Sequence, residues 1–95
     1  MTKADIVAKI ANKTGLDKKE VLAVVEHFVD EVKTSLASNE NVYLRGFGSF
    51  INKYRAKKVA RNISKNTSIT IPAHYIPAFK PSKMFMKEVK ENVKP

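Results

Sequence analysis

The tract from Arg55 to Tyr75 limits how this chain can fold, because its side chains are too polar to enter a hydrophobic core. Five of its residues are Lys or Arg, and most of the others are small, polar or β-branched. The whole chain has 95 residues, so about 70 remain to build a core, which is near the lower limit for a stable single domain. The fold must therefore tolerate a tract that projects from the core.

The N-terminal part of the chain predicts a helical hairpin. Thr2 and Asp5 have the spacing of a capping box, and Gly15 ends the first helix. Asp17 is the expected N-cap of the second helix, with Glu20 three residues further on. An apolar stripe more than one residue wide then recurs at helical spacing, formed by Val21, Val24, Val25, Phe28, Val29, Val32 and Leu36.

From Asn41 onward the pattern changes to that of strands. "NVYLRGFGSFINKYRAKKVAR" is rich in β-branched and aromatic residues, and its "GFG" predicts a tight turn between two strands. Alternation sends Lys53, Arg55 and Lys57 to one side of the strand and Tyr54 and Lys58 to the other. A second extended run, "TSITIPAHYIPAF", contains two prolines, which argue against a central strand position.

The C-terminal segment "KPSKMFMKEVKENVKP" returns to helical spacing, with Pro81 and Ser82 at its start. The predicted fold is therefore α+β: an N-terminal helical hairpin, a three-stranded antiparallel sheet with a long protruding β-ribbon arm, and a short C-terminal helix. We expect one domain over residues 1–95, with a body of about 1–53 and 76–95 and an arm of about 54–75.

The apolar stripe of the second helix has nothing to cover it within one chain. The arm is too polar to do so, and the remaining body is small. A second copy that shares the stripe solves both problems, so the sequence predicts an intertwined homodimer. The residues assigned to the dimer interface are Val25, Phe28, Val29, Val32, Phe47, Phe50 and Phe79.

Charge is distributed unevenly along the chain, whose net charge is +9. Between Glu40 and Glu88 there is no acidic residue, whereas ten residues are Lys or Arg. Soluble surfaces usually mix both signs, so a field of one sign indicates a polyanionic partner: nucleic acid first, an anionic membrane surface second. The structural alternative is a charged strand edge that prevents aggregation.

Several classes of function find no support in the sequence. The chain has no cysteine, which excludes disulfides and is compatible with a reducing cytoplasm. "TKADIVAKI" after Met1 predicts neither a signal peptide nor a membrane span, so we expect an intracellular protein. His27 and His74 lack partners at ligand spacing, and no catalytic arrangement is present. We expect no metal, no cofactor, no small-molecule substrate and no enzymatic activity.

The predicted tip of the arm contains one aliphatic residue among polar neighbours. Asn62, Ile63, Ser64, Lys65 and Asn66 form this tip, where Asn66 can adopt the left-handed backbone conformation of a turn. From the residues alone, Ile63 either packs on the arm's own side chains or waits for a partner, and both interpretations stay open.

The sequence resembles the HU and integration host factor family of bacterial DNA-bending proteins. The segments that carry the resemblance are "TKADIVAKIANKTGLDKKEVLAVVEHFVDEV", "LRGFGSF", "ARN" and "IPAFKPSK", in order, over about residues 2–93. The resemblance implies a dimer, or a heterodimer with a paralogue, whose two arms follow the minor groove of double-stranded DNA. It also implies a cytoplasmic protein of the nucleoid that bends DNA with little sequence preference.

Roles for individual residues follow from the resemblance. Ile63 stands where the family usually has a wedge proline that inserts between base pairs and kinks the duplex. Arg55, Lys58 and Arg61 match arm residues near the groove, and Gly46 lies where backbone amides approach phosphates. The full set assigned to DNA binding is Lys3, Gly46, Lys53, Arg55, Lys57, Lys58, Arg61, Asn62, Ile63, Lys65, Lys80, Lys83 and Lys87.

Three alternatives remain. A sequence-preferring factor similar to integration host factor would read the deformability of particular base steps. An RNA-binding protein would need aromatic stacking platforms, for which the arm offers only Tyr54 and Tyr75. A membrane-surface protein would need a basic amphipathic helix, yet the most basic segment here is extended.

Overall fold

The computed structural model describes residues 1–62, 64–65 and 67–95. Ile63 and Asn66, two residues of the predicted tip, lie outside the described residues. The chain divides into two compact units, residues 1–35 and 36–95. No helix in the described ranges is both long enough and apolar enough to span a membrane.

The first unit is built on α1 (Lys3–Thr14) and most of α2 (Lys18–Ala37). The predicted capping box of α1 is confirmed: the Thr2 amide donates to Asp5 Oδ2 at 2.9 Å, and the Asp5 amide donates to Thr2 Oγ1 at 3.3 Å. Hydrogen bonding from the Thr2 amide first, and from the Thr2 hydroxyl second, holds the pKa of the Asp5 carboxyl below its ordinary value. Gly15 ends the helix with φ 74° and donates its amide to Ala11 O at 2.9 Å.

Helix α2 begins as predicted, and part of its apolar stripe is exposed. The Lys19 amide donates to Asp17 Oδ1 at 3.1 Å, which is the bond expected of an N-cap. In the described chain, Val7 and Val21 are the buried hydrophobic residues, at 3% and 4% exposure. Phe28, in contrast, is 45% exposed. The helical hairpin therefore has exposed apolar side chains on α2.

The second unit contains five strands and the last helix: β1 (Val42–Leu44), β2 (Gly48–Arg55), β3 (Lys58–Asn62), β4 (Thr67–Ile71), β5 (His74–Pro81) and α3 (Lys83–Asn92). Strands β1, β2 and β5 form a three-stranded antiparallel sheet in the order β1-β2-β5. Strand β5 lies at the sheet edge, which explains why Pro77 is tolerated within it, since an edge strand can lack an amide donor.

The predicted ribbon is divided into two paired segments. Strands β2 and β5 stay in register as far as the pair Arg55 and His74. Strands β3 and β4 form a separate two-stranded sheet, which starts at the pair Lys58 and Ile71. Residues 56–57 and 72–73 lie between the two sheets and belong to neither. One of them is Pro72, which has no amide hydrogen to donate to a ladder.

Four phenylalanines gather on one side of the second unit. The ring centroid of Phe79 lies 4.9 Å from that of Phe47 and 5.0 Å from that of Phe50. Phe85 of α3 joins them, 5.4 Å from Phe47. The cluster is incompletely covered, because Phe47 is 43% and Phe79 is 38% exposed. Beside it, Phe79, Phe85, Met86 and Val89 line an open apolar groove of about 700 Å³.

Gly48 is packed too tightly to carry a side chain. A Cβ at this position would lie 2.5 Å from the backbone oxygen of Lys80 and 2.7 Å from the Phe79 ring. We expect Gly48→Ala to lower the free energy of unfolding by about 1–3 kcal/mol, because the strand pair must move apart to admit a methyl group. Urea denaturation measures this loss. Ser49→Ala in the same strand is the control, expected within about 0.5 kcal/mol of the parent; equal stability of the two variants would contradict the packing.

Candidate nucleic-acid interface

The sheet formed by β2 and β5 carries its cationic side chains on one face, beside Ile51, Ile76 and Ala78, and its aromatic side chains on the other. Side chains alternate along each strand, so Lys53 and Arg55 of β2 share a face. Register places His74 directly opposite Arg55, and Lys80 opposite Ser49, on that same face. We call these four exposed residues, Lys53, Arg55, His74 and Lys80, the basic face.

The opposite face carries the aromatic residues. Phe50 pairs with Phe79, and Tyr54 pairs with Tyr75, whose ring centroid lies 5.5 Å away in an edge-to-face contact. The sheet thus separates a surface suited to a polyanion from a surface suited to apolar packing. Lys57 lies outside the strands, so the alternation predicted from Lys53 ends at Arg55.

The β1–β2 turn lies beside the start of α3. Gly46 in this turn has φ 83°, in the left-handed region that favours glycine. Ser82, the N-cap of α3, donates its hydroxyl to Gly46 O at 2.9 Å and accepts from the Phe85 amide at 3.1 Å. Its own amide donates to Phe47 O at 2.9 Å. These bonds fix the turn against the end of the helix that carries a partial positive charge.

A groove of about 440 Å³ runs along this junction, and Arg45, Gly46, Lys80 and Lys83 are among the residues that line it. Three of these side chains are cationic, and the helix N-terminus adds its dipole. The structure therefore brings together Gly46, Lys80 and Lys83, three residues that were predicted to meet the DNA backbone.

The β3–β4 hairpin carries its charge on one strand. Lys58 and Arg61 belong to β3, whereas β4 (Thr67–Ile71) has no charged residue. Alternation places Lys58 and Arg61 on opposite faces of the hairpin, although both were predicted to approach the groove. At its outer end the Ser64 hydroxyl donates to Asn62 Oδ1 at 2.8 Å, and Lys65 follows in the turn.

Two of the predicted lysines already have a carboxylate partner. Lys3 Nζ lies 3.3 Å from Glu26 Oε1, and Lys87 Nζ lies 3.9 Å from Glu91 Oε1. Each side chain is at least half exposed, so such pairs contribute little to stability and are screened by salt. A phosphate can replace either carboxylate at small cost.

Sequence reasoning missed Arg45 and His74. Arg45 was visible as the residue before Gly46, but only the structure shows that it lines the groove beside α3. His74 was considered only as a metal ligand, and its place opposite Arg55 depends on strand register. Among the residues that the structure describes, no three His, Asp or Glu side chains are grouped closely enough to hold a metal ion.

The residues assigned to the dimer interface are incompletely covered in the single chain. Phe28 and Val29 of α2 are exposed, as are Phe47 and Phe79, while Phe50 is half-buried. Val25 and Val32 are also half-buried.

Comparison with known proteins gives consistent matches over nearly the whole chain. A family model described as bacterial DNA-binding protein matches residues 1–90. The beta subunit of integration host factor from Shewanella amazonensis is 38% identical over 94 residues, covering 98% of this chain and 95% of that protein. The SPbeta prophage-derived DNA-binding protein HU 2 of Bacillus subtilis is 41% identical over 90 residues, covering 95% and 98%.

Among solved structures, an HU–DNA cocrystal structure from Anabaena matches with a TM-score of 0.89 at 33% sequence identity. The match covers 95% of this chain and 98% of that one.

Proposed function

The chain belongs to the family of bacterial DNA-binding proteins that includes HU and integration host factor, and we propose on that basis how it holds and bends the duplex. It is an architectural DNA-binding protein that forms dimers and binds double-stranded DNA. The observation that carries the detailed proposal is the basic face, which gathers Lys53, Arg55 and Lys80 on one side of the β2–β5 sheet.

In the proposed complex, residues 1–95 act as one domain with two parts. The body, about residues 1–53 and 76–95, contacts phosphates through Lys53 and Lys80 of the basic face, the groove at Gly46 and Lys83, and the helix lysines Lys3 and Lys87. The arm, about residues 54–75, follows the minor groove and contributes the remaining cations and Asn62. Phosphate contacts position the protein and carry no base information, so binding has little sequence preference. We accordingly propose that the protein acts in the nucleoid of the bacterial cytoplasm.

The proposed dimer uses the uncovered apolar residues of α2 and of the phenylalanine cluster. We propose a homodimer, since one chain supplies a surface that a second copy can match. A heterodimer with a paralogue is the alternative. It is worth testing because one similar protein is named as a subunit, the beta subunit of integration host factor. Sedimentation of the purified single chain distinguishes the two.

Two other functions make different predictions. A sequence-preferring factor would bind some unrelated duplexes far more tightly than others, whereas backbone contacts treat them alike. RNA binding would rely on Tyr54 and Tyr75, which lie on the aromatic side of the sheet and contact each other. Parallel titrations with several duplexes and with RNA separate these functions.

Ile63 is proposed as the wedge, on the strength of the family resemblance. We expect Ile63→Ala to leave folding nearly unchanged, because a residue within a polar tract contributes little to a core. It should reduce DNA bending, and reduce affinity most for long duplexes that must bend to reach the body lysines. Nicked or gapped DNA should restore much of the binding, since part of the unstacking cost of a few kcal/mol is already met there.

Energy transfer between the labelled ends of a duplex measures the bend, and thermal melts of the free proteins measure folding. Ile63→Pro, which supplies the residue usual in the family, is the control and should keep bending intact. If Ile63→Ala bends DNA as the parent does, or if it loses stability without a selective loss of bending, Ile63 is not the wedge.

A further inference from the structure

We propose that His74 is an additional contact to the DNA backbone, and that DNA binding is coupled to uptake of a proton by its imidazole. The inference rests on the proposed function, because it adds a residue to the same interface. It is carried by the position of His74, by its hydrogen bond and by the charges that surround it.

The position of His74 puts it among the predicted phosphate contacts. It is the first residue of β5, it is exposed, and register sets it directly opposite Arg55 of β2. Lys53 lies diagonally across on the same face, and Lys80 lies further along β5 on that face. A duplex that contacts Lys53 and Arg55 therefore brings phosphates within reach of His74.

The hydrogen bond of His74 fixes the ring in a useful orientation. Its Nδ1 lies 2.9 Å from the backbone oxygen of Pro72, which can only accept. In the neutral ring Nδ1 therefore carries the hydrogen and Nε2 keeps a lone pair. Protonation adds an N–H at Nε2 and leaves the bond to Pro72 in place. The charged ring thus offers one new donor, at Nε2, for a phosphate oxygen.

The charged groups that share the face of His74 are cations. Strand β2 is the strand hydrogen-bonded to β5, and the charged groups that it presents on this face are Arg55 and Lys53. Tyr54 and Tyr75 point to the other face. The sequence has no carboxylate between Glu40 and Glu88 that could offset the charges of Arg55 and Lys53. Like charges directly opposite each other in a sheet repel, whereas a phosphate between them attracts both.

The sign of the effect follows from the chemistry of imidazole. Histidine is the side chain that ordinarily changes charge between about pH 5 and pH 8. A protonated His74 adds one positive charge to the interface, and a neutral His74 adds none. DNA affinity should consequently rise as the pH falls.

The test compares duplex binding at about pH 6 and about pH 8, at fixed salt, for four proteins. We expect the affinity of the parent to be about five-fold higher at the lower pH for each His74 that contacts the backbone. The salt dependence should also be steeper there by about one unit for each additional phosphate neutralised. His74→Gln should lose this extra response, while His74→Lys should bind at both pH values as the parent does at the lower one.

His27→Gln is the matched control, because His27 lies in α2 and not on the basic face. It should respond to pH as the parent does. A parent whose affinity does not change with pH, or a His74→Gln variant that keeps the full response, would overturn the inference while leaving the proposed function intact. Absence of DNA binding at both pH values would overturn the proposed function and this inference together.

Discussion

Raising the salt concentration from about 50 to about 200 mM should weaken duplex binding by roughly 10³- to 10⁵-fold, if the dimer meets six to ten phosphates. The physical reason is the release of counterions that are condensed on DNA, one for about each phosphate neutralised. Two copies of the basic face and of the groove beside α3 provide enough cations for this number. Fluorescence anisotropy of a labelled duplex across a salt series measures the slope.

Single substitutions locate the residues that produce this slope. Arg55→Ala on the basic face and Lys83→Ala beside the groove should weaken binding to all duplexes about equally. Each should also flatten the slope by about one unit for every phosphate that is no longer neutralised. Lys33→Ala in α2 is a control outside the assigned set and should leave the slope unchanged. A slope that is nearly flat in the parent protein would mean that the basic residues serve another purpose.

Placing a charge on the apolar stripe of α2 should abolish the folded dimer. Phe28 is 45% exposed in the single chain and belongs to the assigned interface. In a dimer, Phe28→Asp would bury one carboxylate in each protomer at about 3–5 kcal/mol apiece. The combined loss of about 6–10 kcal/mol is comparable to the whole stability of a small protein.

Thermal melts at several protein concentrations, with sedimentation for the mass, test this second prediction. The midpoint of the parent should rise with concentration, because folding is coupled to association. Ala23→Asp introduces the same charge on the opposite side of α2 and should leave dimerisation unchanged. A Phe28→Asp variant that stays folded and dimeric, or a parent with a monomeric mass and a midpoint independent of concentration, would contradict the proposed interface.

The helices could be predicted from the sequence because their signals are local. Thr2 and Asp5 cap α1 with a bond in each direction, Gly15 ends it, and Ser82 caps α3. Each of these caps joins residues that are three or four positions apart, so the spacing in the sequence is enough to predict the helix end. The break in the ribbon could not be predicted in this way, because it depends on where strands β2 and β5 stop pairing. Pro72 alone does not predict it, since a proline is tolerated in an edge strand.

The interface could be predicted in composition but not in geometry. A stretch without acidic residues that contains Lys53, Arg55 and Lys80 indicates a polyanionic partner, whichever fold the chain adopts. Which residues share a face depends on register, and register joins parts of the chain that are far apart in sequence. For that reason the position of His74 opposite Arg55 could not be predicted from the sequence.

The small number of buried residues also bears on how long two partners stay together. In the described chain only Val7 and Val21 are buried hydrophobic residues, so a protomer that leaves its partner has little core to keep it folded. Exchange of subunits would then proceed no faster than unfolding. In a cell that makes a paralogous chain as well, mixed dimers would form from existing dimers only at the rate at which those dimers unfold.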